Sequence, residues 1–160
     1  MTTTRIEQRP EQPVMLVRTV VPVDRLMSAQ GEALTALWSA LRQSDIDPAG
    51  APYVRYHTFG DDTDMEVGVP VTAPPASPTI GGVTAGTLPG GRSLVATHEG
   101  SHDRLNEAYG ALQGAVRRDD LTEVGAAWEE YQWIDLRRQP DPASWPAPDV
   151  WVTEVVLPIR

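Results

Sequence analysis

The chain has 160 residues, with 22 acidic side chains against 13 basic ones and a formal net charge of −9. That charge argues against duplex-DNA binding, since phosphate contacts need concentrated positive charge, and it favours cationic ligands or partners. Neither lysine nor cysteine occurs, which excludes Schiff-base and P-loop lysine chemistry, disulfides, thiol nucleophiles and thiolate metal sites.

The N-terminal "MTTTRIEQRPEQP" is polar and lacks the apolar run of a signal peptide. No window has the apolar length of a membrane span, so a cytoplasmic protein without membrane association is expected. Residues 14–21, "VMLVRTVV", are rich in β-branched side chains and predict a strand that Pro22 ends. From Arg25 to Gln43, Leu26, Ala33, Leu34, Leu37, Trp38 and Leu41 recur at the spacing of one helical stripe. "DIDPAGAP" closes that helix, and "YVRYHTF" and "DMEVGVPVT" follow as strands joined by the polar turn "GDDT". "APPASPTIGG" reads as a surface crossover, and "VTAGTL" and "RSLVATHE" flank "PGG" as a hairpin. Residues 102–118 predict a second helix, with Leu105, Ala108, Tyr109, Leu112 and Val116 on one stripe. The stretch "AAWEEYQWI" is the next strand, followed by the Pro-rich loop "RRQPDPASWPAPD" and the final strand "VWVTEVVLPI".

The element order repeats, and so does some of the sequence. Glu66-Val-Gly-Val-Pro-Val71 parallels Glu154-Val-Val-Leu-Pro-Ile159, and Tyr53-Val-Arg-Tyr56 parallels Trp128-Glu-Glu-Tyr131. Generic strand composition could produce either match. With the repeated element order, they point to a duplication about a pseudo-twofold axis, and the length fits one domain over residues 1–160. Module one would span about residues 13–72, the connector 73–82 and module two about 83–160. A ligand cleft is expected where the modules meet.

If residues 127–134 are extended, Trp128, Glu130, Gln132 and Ile134 share one face, and Glu129, Tyr131 and Trp133 share the other. The second set is an acid between aromatic rings. It could attract a flat cation by charge and stacking, and desolvation there would raise the carboxyl pKa toward general acid–base use. The same pattern fits core packing, with Glu129 simply hydrogen-bonded.

"DMEVGVPV", "GTLPGGRSLVATHEG", an acid two residues before a tyrosine in "WEEY", and a C-terminal "WVTEVVLPI" occur in this order. From about Val14 to Ile159 the chain thereby resembles the GyrI-like small-molecule-binding family. That fold is shared with AraC-type effector-binding domains and the ligand-binding half of BmrR-type multidrug regulators. The resemblance implies an α+β fold of two pseudo-twofold-related strand–helix–strand–strand modules forming one curved antiparallel sheet with two long helices. It also implies planar, lipophilic, often cationic aromatic ligands, held in an aromatic-lined cleft with a buried glutamate, in a drug- or toxin-binding role. Glu129 takes that glutamate's position, with Tyr131, Trp133 and Tyr56 lining the cleft. Trp38 and Tyr109 are weaker candidates, for which core packing is the favoured reading. Glu154 is a second carboxylate that strand register could bring beside Glu129, so that the two hold a proton between them.

Two other readings share these residues. Stand-alone relatives include hydrolases that open cyclopropane rings of DNA-alkylating natural products, where Glu129 would be the general base. Gyrase-inhibitor relatives imply a protein-interaction module with a protein partner. No DNA-binding segment precedes the domain, so direct nucleic-acid binding is not expected.

No cofactor or metal is expected. His98-Glu99-Gly-Ser-His102 matches the zinc-peptidase HExxH pattern, which needs both histidines on one helical face. Gly100 lies between them at a strand–helix junction, and Ala108 stands where a third histidine would.

Overall fold

The computed structural model describes residues 2–160. In chain order the elements are β1 (Thr2–Arg9), β2 (Gln12–Pro22), α1 (Leu26–Ser44), β3 (Tyr53–Thr58), β4 (Asp62–Pro70), β5 (Thr79–Ile80), β6 (Val83–Leu88), β7 (Gly91–Glu99), α2 (Asn106–Arg118), β8 (Trp128–Tyr131) and β9 (Val152–Pro158). All nine strands join one curved antiparallel sheet in the order β1-β7-β9-β8-β3-β4-β2-β6-β5, so the expected α+β class is the observed one.

That order is nearly a palindrome under exchange of the two modules. β7-β9-β8 answers β2-β4-β3, and β1 flanks β7 as β6 flanks β2. β8 and β3 meet at the centre, where Glu129 pairs with Val54, its own counterpart in the repeat. A local twofold therefore passes beside Glu129.

Strand alternation separates the two sheet faces. On one face Met15, Val54, Met65, Val67 and Val69 pack under α1, whose buried stripe is Ala33, Leu34, Leu37, Ala40 and Leu41. Leu94, Ala96, Val155 and Leu157 pack under Ala108, Leu112 and Ala115 of α2. The two helices thus cover one face, each over its own module. The opposite face holds a smaller cluster of Val14, Tyr53, Leu88, Val95, Trp128 and Val156. Asp45, in the left-handed conformation (φ 52°), ends α1, and Ile46 N donates to Leu41 O at 3.1 Å.

Four elements differ from the sequence reading. β5 lies inside the expected crossover 73–82, where Thr79 and Ile80 pair with Thr84 and Val83 of β6. β1 was not predicted, because its polar "TTTRIEQR" has no apolar alternation; the eight-residue ladder to β7 holds it, as is common for a polar edge strand. β8 stops at Tyr131 instead of running to Ile134. The chain turns there, with Ile134 N donating to Tyr131 O at 3.2 Å, and this buries both Ile134 and Leu136 in the α1 core. The second helix begins at Asn106, after a 3-10 turn over His102–Arg104 that Gly100 (φ 125°) leads into.

Gly110 lies exposed within α2, and a Cβ there would meet nothing within 4 Å. Gly110→Ala is therefore expected to stabilise the fold by about 0.5–1 kcal/mol, by removing backbone freedom from the unfolded chain. Chemical denaturation checks this as a shifted midpoint at constant slope.

Candidate functional site

Glu129 sits on the helix face of β8, at the seam between the territories of α1 and α2, and is 5% exposed. Both carboxylate oxygens are used. Tyr131, two residues along the same strand, donates its hydroxyl to Oε1 at 2.8 Å. Tyr109, on α2, donates to Oε2 at 2.5 Å. From the other module, Gln30 Nε2 of α1 donates to the Tyr56 hydroxyl of β3 at 3.0 Å. The two helices and the two central strands therefore each supply a polar group.

The electrostatics are one-sided. No arginine pairs with Glu129; the described ion pairs lie elsewhere. Burial pushes its carboxyl above the ordinary value, and the Tyr109 and Tyr131 hydroxyls offset only part of that rise. Burial, and then the charge of Glu129, push Tyr56 up to about 12 and raise Tyr109 and Tyr131 as well. All three phenols therefore remain protonated at neutral pH.

An aromatic surface continues from Tyr131. Trp133 lies 5.1 Å from Tyr131 at an interplanar angle of 32° and stacks on Trp151 at 4.3 Å and 2°. His102 stands edge-on to both indoles at 5.2 and 5.3 Å, and its Nε2 lies 2.8 Å from Thr153 Oγ1. Burial first, and then His98, hold its imidazole below the usual histidine value, so it is neutral at pH 7. Trp38 packs against the α1 core with Arg42 over its ring at 5.3 Å. The indole N–H groups of Trp38 and Trp133 are both buried without a partner.

Glu129, Tyr131, Tyr109, Tyr56 and Trp133 therefore share one side of the sheet, although Trp133 reaches it from a turn and not from the strand. Glu154 does not join them. The register pairs it with Glu130, so alternation turns it to the opposite face, where Arg5 binds it. Glu130 is likewise occupied there, by Arg9 Nη1 at 2.9 Å and Trp128 Nε1 at 3.0 Å. Sequence reasoning missed Trp151, whose position at the head of the last strand carried no pattern. It also missed His102, which stood out only through the zinc motif. His98 meets Ser101 O through Nε2 and Thr2 Oγ1 through Nδ1, so the two histidines do not converge. Among the described residues no group of three or more His, Cys, Asp or Glu could hold a metal.

Surface cavities of 270, 300, 310 and 380 Å³ occur, and Glu129 lines none of them. No helix among the described residues is long and apolar enough to cross a membrane.

The fold has structural relatives, all distant in sequence. The EcmrR C-terminal domain superimposes with a TM-score of 0.76 at 18% identity, covering 100% of this chain and 98% of that one. EcmrR in a DNA complex gives 0.77 at 17% identity, and there the alignment covers 99% of this chain but 57% of the longer one. SAV2435 bound to tetraphenylphosphonium gives 0.58 at 13% identity, covering 99% and 94%. A hydrolase from Listeria innocua gives 0.62 at 12% identity, covering 98% and 91%. Comparison with curated proteins gives no match. The family model for the GyrI-like small molecule binding domain matches residues 2–160, and the chain belongs to that family.

Proposed function

We propose that residues 1–160 act as one binding domain for planar, lipophilic, cationic aromatic molecules, which Glu129 recognises from the seam between the modules. The observation that carries this reading is a buried carboxylate with no arginine partner, held by two phenol hydroxyls, one of whose rings adjoins a stacked indole pair. An ionised acid in such a site is costly unless paired, so the site discriminates in favour of a ligand that brings the missing positive charge. The rings of Tyr131, Tyr56 and Trp133 add cation–π attraction and apolar contact. Tyr109 lies on α2, so a ligand that engages Oε2 must displace the hydroxyl donated by that helix. SAV2435 with its bound tetraphenylphosphonium is a precedent on this fold for a lipophilic aromatic cation, though not for a planar one. The role is sequestration of drugs or toxins.

Calorimetric titration with tetraphenylphosphonium and with a neutral aromatic of similar shape tests the reading. Saturable binding of the cation is expected, with the neutral compound at least about tenfold weaker. Equal affinities would remove the charge from the explanation.

The raised pKa of Glu129 favours a second reading, a hydrolase with this carboxylate as general base on water that opens a cyclopropane ring. The fold likeness to the Listeria innocua hydrolase is in keeping with it. Mass spectrometry of a cyclopropane-bearing alkylator after incubation decides it: a ring-opened product supports the hydrolase, and unchanged alkylator rejects it.

A further inference from the structure

The ladder on the outer side of β2 stops early. β6 pairs with Gln12 to Leu16 only, and no strand continues it along Val17 to Pro22. Two neighbouring hydrogen bonds fix the direction of the backbone groups. Val71 N donates to Pro13 O and Val23 N donates to Asp61 O, each at 3.0 Å, so the odd-numbered residues of β2 face β4. The even-numbered residues face outward. Val14 and Leu16 meet β6, whereas the N–H and C=O groups of Arg18 and Val20 have no backbone partner among the described residues. Val20 is also 65% exposed.

Module two indicates what belongs on this edge. Glu66 and Pro70 correspond to Glu154 and Pro158, and through the registers Val17, Arg18 and Thr19 correspond to Ala96, Thr97 and His98. Along Ala96, Thr97 and His98 run Thr4, Thr3 and Thr2 of β1, antiparallel and fully paired. In module one the chain turns away at Gly81 and Gly82 (φ 54° and 82°), and nothing takes the place of those three threonines.

Beneath the open edge lies a cavity of 270 Å³, with Val17, Thr19 and Val21 of β2 on one side and Ala29, Ala33 and Ala36 of α1 on the other. These β2 side chains are on the helix face, so every second residue of an added strand would point into the cavity. An antiparallel addition puts the N-terminal end of the segment near Pro22. There the Val23–Asp61 bond brings two turns together, and Asp24, Asp61 and Asp62 are exposed. The Arg18 guanidinium is already held by Asp64 at 2.9 and 2.8 Å, and Arg25 and Glu32 offset each other at the cavity rim.

We infer that this edge and its cavity form a docking site for an extended peptide segment of a partner protein. The segment adds antiparallel to β2, with β-branched residues at alternate positions and a basic residue preceding them. The site lies three strands from β8 in the sheet and does not depend on the small-molecule reading.

The test uses the full chain and a fluorescein-labelled Arg-Thr-Val-Thr-Val-Ser peptide, read by anisotropy and by amide hydrogen exchange in NMR. Saturable binding is expected, with slower exchange at the Arg18 and Val20 amides. N-methylation of the peptide amides that face β2 should abolish binding, and Arg→Glu at the peptide N-terminus should weaken it about tenfold. Val20→Pro removes one of the two free edge donors and should also weaken binding about tenfold. If that variant is unfolded by circular dichroism, the N-methylated peptide makes the same test on the wild-type chain. The inference is overturned by no binding or by binding indifferent to N-methylation. It is also overturned by Arg18 and Val20 protection that appears without peptide and grows with protein concentration, which would give the edge to a second copy of the chain.

Discussion

Glu129→Gln is expected to weaken binding of a lipophilic aromatic cation about a hundredfold while raising the melting temperature at pH 7. The loss of affinity follows from removing the carboxylate of the proposed site: losing a desolvated charge partner costs about 2–3 kcal/mol, or about a hundredfold in Kd. The gain in stability follows from the same burial. The folded-state pKa of Glu129 is raised above the ordinary carboxyl value by desolvation. The stability this group contributes is therefore fully present below that ordinary value and is lost as pH rises through the folded value. Glutamine does not ionise and escapes that loss. Its amide still satisfies both phenols, because one tyrosine hydroxyl donates to the amide oxygen and the other accepts from the NH2. Melting curves at pH 4 and pH 7 should thus show the variant ahead only at pH 7. Cation affinity should rise with pH for the wild type and stay flat for the variant. A variant that binds as tightly as the wild type would detach the carboxylate from ligand recognition.

Gly68→Ala should destabilise the sheet, although it adds only one methyl group. Gly68 pairs with Tyr53 across β3 and β4, and the hydroxyl end of the Tyr53 ring lies against it on the face away from the helices. A Cβ at position 68 would come within 2.5–2.6 Å of three Tyr53 atoms. The ring has little room to retreat: Tyr53 is fully buried, and its hydroxyl donates to Glu66, whose other oxygen meets His57 Nε2 at 2.8 Å. Overpacking of this kind costs about 1–3 kcal/mol, equivalent to a fall in melting temperature of about 2–12 °C for a chain of this size. Because the cost is a clash between two named residues, it should not add to the cost of removing the ring. Tyr53→Ala alone should cost about 3–5 kcal/mol, and the Gly68→Ala/Tyr53→Ala double variant should be no less stable than Tyr53→Ala. Additive losses in the double-mutant cycle would place the damage elsewhere.

How much of this was legible in the sequence depended on whether the information was local. Alternation separated Glu129 from Glu130 within four residues, because side chains on a strand change face at every step. The stripe on α1 and the repeat of Glu66–Pro70 in Glu154–Pro158 were legible for the same reason. Register was not, and register decided Glu154: its pairing with Glu130 put it beside Arg5 on the other face. β1 was hidden because an edge strand held by backbone bonds needs no apolar alternation. The end of β8 was hidden because burial of Ile134 and Leu136 under α1 outweighed the β propensity of the "YQWI" run. Tyr109 could be placed on a helical stripe, but its hydroxyl on Glu129 is a tertiary fact, as are Gln30 on Tyr56 and the stack of Trp133 on Trp151.

The most direct measurement on the central claim is the 13C chemical shift of the Glu129 side-chain carboxyl, followed against pH with and without saturating tetraphenylphosphonium. In the free protein a titration displaced above the ordinary carboxyl range is expected, and with cation bound the midpoint should fall, because a neighbouring positive charge favours the carboxylate. A Glu129 resonance and midpoint unchanged by a cation that is demonstrably bound would contradict ligand recognition at this site.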